Sequence, residues 1–421
     1  MMKARFTPAL FAHAEAVIGQ LLRFEHPADA VVSRYFRDHR ELGHADRAFV
    51  AETVFAVLRR GRSLEARCAG QLSDRHLLLV ALAVTRGWNQ RELAPVLRAN
   101  EEEWLAAARA MPDSEFSPAV RCDLPDWLYN KLEAQFGAEE TEKLAHALNQ
   151  PAPLDLRVNT LKTNRDAVLA RFAEEGIGAA AGPLSPTAIR LREKPALAKH
   201  ALFLEGAFEV QDEGSQLLGY LLEPRRGEMV VDFCAGAGGK TLLLGALMKN
   251  TGRLYAFDVS DKRLVKLKPR LARSGLSNVH PARIEHERDQ KIKRLSGKAD
   301  RVLVDAPCSG LGTLRRNPDL KWRQSEESVA ELTVKQAAIL DSAARLVRPG
   351  GRLVYATCSL LTAENDAIVA DFLAKHPEFT LTPASTVLAK HGIEFSGDLL
   401  RLLPNQHNTD GFFAAVLDRK A

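Results

Sequence analysis

The chain has 421 residues, 46% of them hydrophobic and 26% charged, which excludes a disordered polymer and exceeds one ordinary core, so two or three domains are expected. Lysine and arginine number 58 against 53 acidic residues, a net charge of +5 that admits a polyanionic partner without requiring one. The five cysteines, Cys68, Cys122, Cys234, Cys308 and Cys358, form no Cys-x-x-Cys or clustered His-Cys set; this argues against a disulfide framework or a metal site and fits a reducing cytosol.

The opening residues Met1-Met2-Lys3-Ala4-Arg5-Phe6 lack the long apolar core of a signal peptide, and no later apolar run is long enough to cross a bilayer. A cytoplasmic protein without a membrane partner is expected. Residues 1–150 read as helices: Ala9-Leu10, Ala14, Val17-Ile18 and Leu21-Leu22 recur at helical spacing. Asp46 is placed to cap a helix carrying Phe49 and Phe55, and His76 to Ala83 is apolar nearly all round, as a central bundle helix is. Cys68 and Cys122 read as packing residues.

Pro151 and Pro153 punctuate a boundary. Leu154 to Asn159 alternates as a strand, Asn164 to Glu175 reads as a helix, and Ala188 to Leu191 is strand-like, so residues 151–204 form a small α+β domain. Over residues 205–421 the pattern becomes strand, turn, helix, repeated. Met229–Phe233, Arg253–Asp258, Asp300–Asp305, Arg352–Thr357 and Phe412–Leu417 are the strands, and Val347 to Gly351 ends a helix. Such alternation predicts an α/β fold with a parallel, Rossmann-like sheet.

Candidate functional residues gather at the predicted strand ends, where open parallel sheets bind ligands. The turn Asp232-Phe233-Cys234-Ala235-Gly236-Ala237-Gly238-Gly239-Lys240-Thr241 joins a strand to a helix; its glycines permit close backbone approach, and the helix start offers free amides. Asp258, at the end of the next strand, is positioned for ribose hydroxyls. The P-loop spacing fails, because Cys234 stands five residues before Gly239, so NAD and S-adenosylmethionine both remain. Two thiols follow: Cys308 in Asp305-Ala306-Pro307-Cys308-Ser309-Gly310, and Cys358 in Thr357-Cys358-Ser359. Thiolate attack on C6 of cytosine makes C5 nucleophilic enough to take a methyl group. That chemistry needs a nucleophilic cysteine, an acid near N3 and a base for the C5 proton. Asp305, Cys308 and Cys358 are candidates, and the residues alone do not choose between the thiols. The bland reading makes both cysteines small apolar fillers.

These segments, with Arg315-Arg316-Asn317-Pro318-Asp319, Trp322 and the closing Asp410-Gly411-Phe412-Phe413, resemble the Sun/Nol family of RNA cytosine-5 methyltransferases over roughly residues 150–421. The helical front, with His26-Pro27-Ala28-Asp29 and Asp46 to Val50, is similar to the NusB-like domain of the family's RsmB (Sun/Fmu) branch, and the insert beginning at Leu156 to its small RNA-contacting domain. The resemblance implies an S-adenosylmethionine site lined by Cys234, Ala235, Gly236, Ala237, Gly238, Gly239, Lys240, Asp258 and Asp305. Lys240 and Asp305 then count with the thiols as catalytic candidates. It further implies that Cys358 attacks C6 and that Cys308 assists release of the methylated base.

Two departures stand out. Gly236 and Ala237 replace the Ala-Pro of the family's Cys-Ala-Ala-Pro-Gly-Gly-Lys turn, which removes a fixed φ but no ligand. Arg283 stands where the family has an acidic residue after the third strand, so the adenine-side contact falls to Arg283 or to Glu285.

Arg157, Asn159, Arg315 and Arg316 are the candidates for RNA contact. The expected activity is methylation of cytidine C5 in structured RNA, with 16S ribosomal RNA or a small-subunit particle as partner; oligomeric state stays open. The alternatives are a tRNA cytosine-5 methyltransferase, a non-catalytic RNA-binding assembly factor, and a nicotinamide dehydrogenase.

Overall fold

The computed structural model describes residues 6–421; Met1 to Arg5, part of the segment read above as lacking a signal peptide, lie outside the described residues. The chain divides into two compact units, 1–151 with 313–326, and 152–312 with 327–421.

The described part of the first unit is helical. Helix Pro8–Leu21 buries Leu10, Phe11, Ala14, Val17, Ile18 and Leu21, the stripe that the spacing predicts. Asp46 does not begin its helix. Gly43 is the N-cap of His44–Arg59, and Asp46, three residues further on, reaches back to accept from the Gly43 N–H at 3.1 Å. Asp74–Val80 continues into a π-helical stretch over Ala81–Thr85, and Leu78 to Leu82 are fully buried. Cys68 and Cys122 are buried free thiols.

Residues 313–326, assigned by their sequence to the last domain, belong to this helical unit. Trp322 donates its indole N–H to Leu58 O at 2.8 Å, and Asp319 accepts from the Ala28 amide at 3.2 Å. Lys321 is fully buried and donates to Arg59 O at 2.7 Å and Asn149 Oδ1 at 2.9 Å. Burial lowers its ammonium to about 7, and the Asp123 carboxylate opposes that fall.

The second unit holds two sheets. The smaller pairs β1 (Leu154–Val158) with β3 (Ala188–Leu191) and β4 (Phe208–Val210), all antiparallel, with β2 (Ala179–Ala181) on the outer edge. The sequence boundary at 204 therefore falls short. Phe208, fully buried, packs with Leu156, Val158 and Phe172 and carries the small sheet to residue 210. Asn164 caps helix Arg165–Glu174, accepting from the Ala167 amide.

The larger sheet has β5 (Met229–Asp232), β6 (Arg253–Asp258), β7 (Val279–Arg283), β8 (Ala299–Asp305), β9 (Val347–Thr357), β10 (Phe379–Thr382), β11 (Leu400–Leu402) and β12 (Phe412–Arg419). Its order is β10-β12-β9-β8-β5-β6-β7, with β11 also on β12. The pairs β5–β6, β6–β7, β5–β8 and β8–β9 are parallel, and β12 runs antiparallel to β9. Val347 to Gly351, expected to end a helix, is instead an irregular start to β9: Val347 pairs with Ala299 before the register shifts. Chain order reverses between β5 and β8, so the carboxyl ends of β5, β6, β8 and β9 flank one crevice.

Candidate active site

A cavity of about 910 Å³ opens at those strand ends. The turn after β5, Cys234 to Ala237 with Gly239 and Lys240, forms one wall; Asp258, Val259 and Ser260 after β6 form a second. Asp305 to Cys308 after β8 and Cys358 after β9 complete it.

The glycine turn is shaped for a close ligand. Gly236 has φ +57°, and a Cβ there would meet nothing within 4 Å, which leaves open space on the cavity side. Gly238 has φ +82°, and its Cβ would lie 2.0 Å from Leu267 Cδ1, so only glycine fits. Gly238 itself stays behind the cavity wall while its neighbours line it. Asp258, nearly fully buried, accepts from the Gly236 amide at 2.9 Å and the Ser260 amide at 2.7 Å, which ties the first and second walls together. This cradle and its room fit S-adenosylmethionine.

Arg283 does not line the cavity. It points into solvent, 3.8 Å from Asp261, whereas Ile284 and Glu285 face the site. Val259, Ile284 and Glu285 line the cavity on this side.

Three of the four RNA-contact candidates are buried. Arg157 donates to Gly239 O at 2.6 Å and to Gln211 Oε1; burial lowers its guanidinium to about 10, and it remains a cation. Asn159 donates to Gly206 O at 2.9 Å and Ser274 O at 3.0 Å. Arg315, in the helical unit, donates to Pro151 O at 3.2 Å. Arg316 lies partly exposed in the same unit. Buried arginines satisfied by backbone carbonyls hold the fold together and are not presented to a surface ligand.

Arg157 instead shapes the cofactor wall. Arg270 donates to Ala237 O at 2.7 Å and to Glu209 at 3.0 Å, so two guanidiniums draw back carbonyls on either side of Gly238. They hold the turn where the family's proline is missing. Nothing local in the sequence separates Arg270 from its exposed neighbours Lys266 and Lys268. Replacing Arg157 with Ala should weaken S-adenosylhomocysteine binding about ten-fold by calorimetry, from the loss of one charge-assisted hydrogen bond and an orphaned carbonyl. Unchanged affinity in a folded variant would refute this role.

The thiols lie together, Cys308 Sγ 3.4 Å from Cys358 Sγ, each partly exposed to the cavity. The hydrogen bond with Cys358, followed by burial, raises the Cys308 thiol well above its ordinary value. Lys240 Nζ bonds Asp305 Oδ2 at 2.7 Å. Burial alone would lower Lys240, but the Asp305 charge and hydrogen bond outweigh it and leave the ammonium above its ordinary value. Burial pushes Cys234 up, so this third cavity thiol stays protonated.

Burial also raises the Asp232 carboxyl to about 7. Its Oδ2 accepts from Thr241 Oγ1 at 2.6 Å, while Oδ1 has no hydrogen-bond partner among the described residues. The folded chain then keeps a proton that an unfolded chain releases near pH 4, so this group lowers stability as pH rises from about 4 through about 7. Asp232→Asn should flatten that slope in cofactor-free thermal midpoints taken from about pH 5 to about pH 8. Parallel slopes for variant and parent would count against it.

A sheet-end crevice that cradles a cofactor beside two thiols matches one class of enzyme, and the comparisons agree. Residues 219–418 match the family model for 16S rRNA methyltransferase RsmB/F, and residues 124–210 match the ferredoxin-like domain of RsmF/B-like methyltransferases. The protein is an S-adenosylmethionine-dependent RNA methyltransferase with a Rossmann-like sheet and a ferredoxin-like domain. A probable ribosomal RNA small subunit methyltransferase B from Synechocystis is 33% identical, over 96% of this chain and 98% of the relative. The ribosomal RNA small subunit methyltransferase B of Shewanella oneidensis is 35% identical, over 73% of this chain and 69% of its own length. The crystal structure of PH0851 superposes with a TM-score of 0.78 at 27% identity, over 99% of this chain and all of that one. The chain belongs to the ribosomal RNA small subunit methyltransferase B family. Among the described residues no helix is long and apolar enough to cross a membrane.

Proposed function

We propose that the protein methylates C5 of a cytidine in 16S ribosomal RNA through a covalent adduct between Cys358 Sγ and C6 of the base. The observation that carries this reading is the pair of sulfurs 3.4 Å apart in the cavity that also holds the glycine turn and the Lys240–Asp305 pair. When bound, S-adenosylmethionine supplies an electrophilic methyl group.

Cys358 forms the S–C6 bond, and the electron pair displaced from the C5–C6 double bond makes C5 the nucleophile. Asp305 faces the same space and is the group for the N3 side of the ring, with the Lys240 ammonium beside it to give a proton and take it back. After methylation the C5 proton must leave and the S–C6 bond break, which regenerates the aromatic ring. Cys308 sits 3.4 Å from the Cys358 sulfur, so it is placed to give its proton to that sulfur as it leaves C6 and to take the C5 proton in its stead, while the C5–H electron pair re-forms the C5–C6 double bond. The target base has to leave its stack to reach the crevice.

Residues 1–150 are proposed as a NusB-like RNA-binding domain and 151–210 as the small RNA-contacting domain. With Arg157, Asn159 and Arg315 internal, phosphate contact falls to exposed cations such as Arg316, Lys262, Lys266 and Lys268. Transfer of tritium from labelled cofactor to unmethylated 16S RNA or small-subunit particles, with bisulfite mapping of the product, tests the reading. A tRNA substrate would support the rival assignment, and cofactor binding without transfer to any RNA would leave an assembly factor.

A further inference from the structure

Both thiol loops are fastened to one buried side chain outside the chemistry described so far. Glu364, fully buried in the short helical turn Thr362–Glu364, accepts four hydrogen bonds. Ser309, directly after Cys308, donates its amide to Oε1 at 2.8 Å and its hydroxyl to Oε2 at 2.5 Å. Ser359, directly after Cys358, donates its hydroxyl to Oε2. Gln336 donates from Nε2 to Oε1 at 2.9 Å and also to Pro307 O at 3.0 Å, on the other side of Cys308. All four donors are neutral, so the carboxylate is held by geometry and not by a counter-charge.

The two loops depend on it unequally. Asn365 holds the Cys358 loop separately, accepting from Thr357 Oγ1 at 2.5 Å and donating to Ser359 O at 3.1 Å. The Cys308 loop is tied by the Glu364 and Gln336 bonds, by Ser309 Oγ to Ser359 Oγ at 3.2 Å, and by Gly312 N to Cys358 O and Gly411 N to Gly312 O, each at 2.8 Å. Ser309 gives Glu364 both its amide and its hydroxyl, whereas Ser359 gives one hydroxyl, so removing the carboxylate loosens the Cys308 side more.

We infer that Glu364 is a positioning residue that holds the Cys308 thiol against the Cys358 sulfur, so that breakdown of the covalent RNA adduct depends on it although it touches neither substrate nor cofactor. The inference rests on the assignment of Cys358 to attack and Cys308 to release. Glutamine in its place can keep the network: its oxygen accepts from the Ser309 amide and Gln336, and its NH2 donates to two hydroxyls that rotate to accept. Alanine cannot.

The test compares Glu364→Ala, Glu364→Gln and Cys308→Ala for single turnover on 16S RNA, with adducts resolved on a denaturing gel. Glu364→Ala should lose about a hundred-fold in kcat through misplacement of the releasing thiol and should accumulate adduct as Cys308→Ala does, with KM for S-adenosylmethionine unchanged within about two-fold. Glu364→Gln should recover most of the turnover and show no adduct. Adduct from Cys308→Ala but none from folded Glu364→Ala overturns this inference alone; no adduct from Cys308→Ala overturns the thiol assignment and this inference with it. If Glu364→Ala does not fold, the Ser309→Ala, Ser359→Ala double variant decides, with adduct accumulation expected and its absence overturning the proposal.

Discussion

Cys358→Ala is expected to abolish methyl transfer, by about a thousand-fold or more, and to form no covalent complex with RNA, because the proposed C6 nucleophile is removed. Cys308→Ala should do the opposite in one respect: the complex forms and persists on a denaturing gel while turnover fails. The two sulfurs share a cavity and touch, so a general loss of structure would affect both variants alike. Adduct from the Cys358 variant and none from the Cys308 variant would falsify the assignment.

The second large effect is expected at a glycine without catalytic chemistry. Gly312 donates its amide to Cys358 O at 2.8 Å and accepts from the Gly411 amide at 2.8 Å. A Cβ there would lie 2.3 Å from Gly411 O and 2.8 Å from Cys358 O. Both obstacles are backbone carbonyls, one of them on the nucleophile residue, and neither can rotate away. Gly312→Ala should cost about 3 kcal/mol of stability by overpacking and lower turnover about a hundred-fold by shifting the Cys358 loop. Gly227, with φ +80° and nothing within 4 Å of its Cβ, is the contrast. Gly227→Ala pays only the left-handed backbone term of about 1 kcal/mol and leaves turnover intact. Denaturation midpoints and initial rates on both variants check the pair; equal losses at the two sites would show that backbone conformation, and not the contact with Cys358, controls the effect.

What could be read before the fold was known followed from local rules. Strand periodicity located β1, β3, β5, β6, β8, β9 and β12, because alternation or an apolar run of strand length persists whatever the neighbours are. The glycine turn and Asp258 were legible for the same reason: a strand-to-helix turn and the following acidic strand end are contiguous patterns. The errors share a cause. Arg157 and Arg270 resemble surface charge in sequence, and only their carbonyl partners, 82 and 33 positions away, show that they support the cofactor wall. Of the two alternatives that spacing left open, Arg283 ends β7 outside the cavity, whereas Glu285, in the turn after the strand, lines it with Ile284. Residues 313–326 carry a motif of the catalytic sequence yet fold with the helical unit, since Trp322 and Lys321 find their partners at Leu58, Arg59 and Asn149.

The amino-acid order by itself determined the kinds of element, the glycine turn and the two candidate thiols, because each depends on residues adjacent in the chain. Tertiary structure alone decided how those sulfurs meet across 50 positions, which arginines are internal, and that Glu364 joins both loops. Those outcomes depend on pairings between distant strand ends, and a buried hydrogen bond leaves no mark on the sequence around either partner.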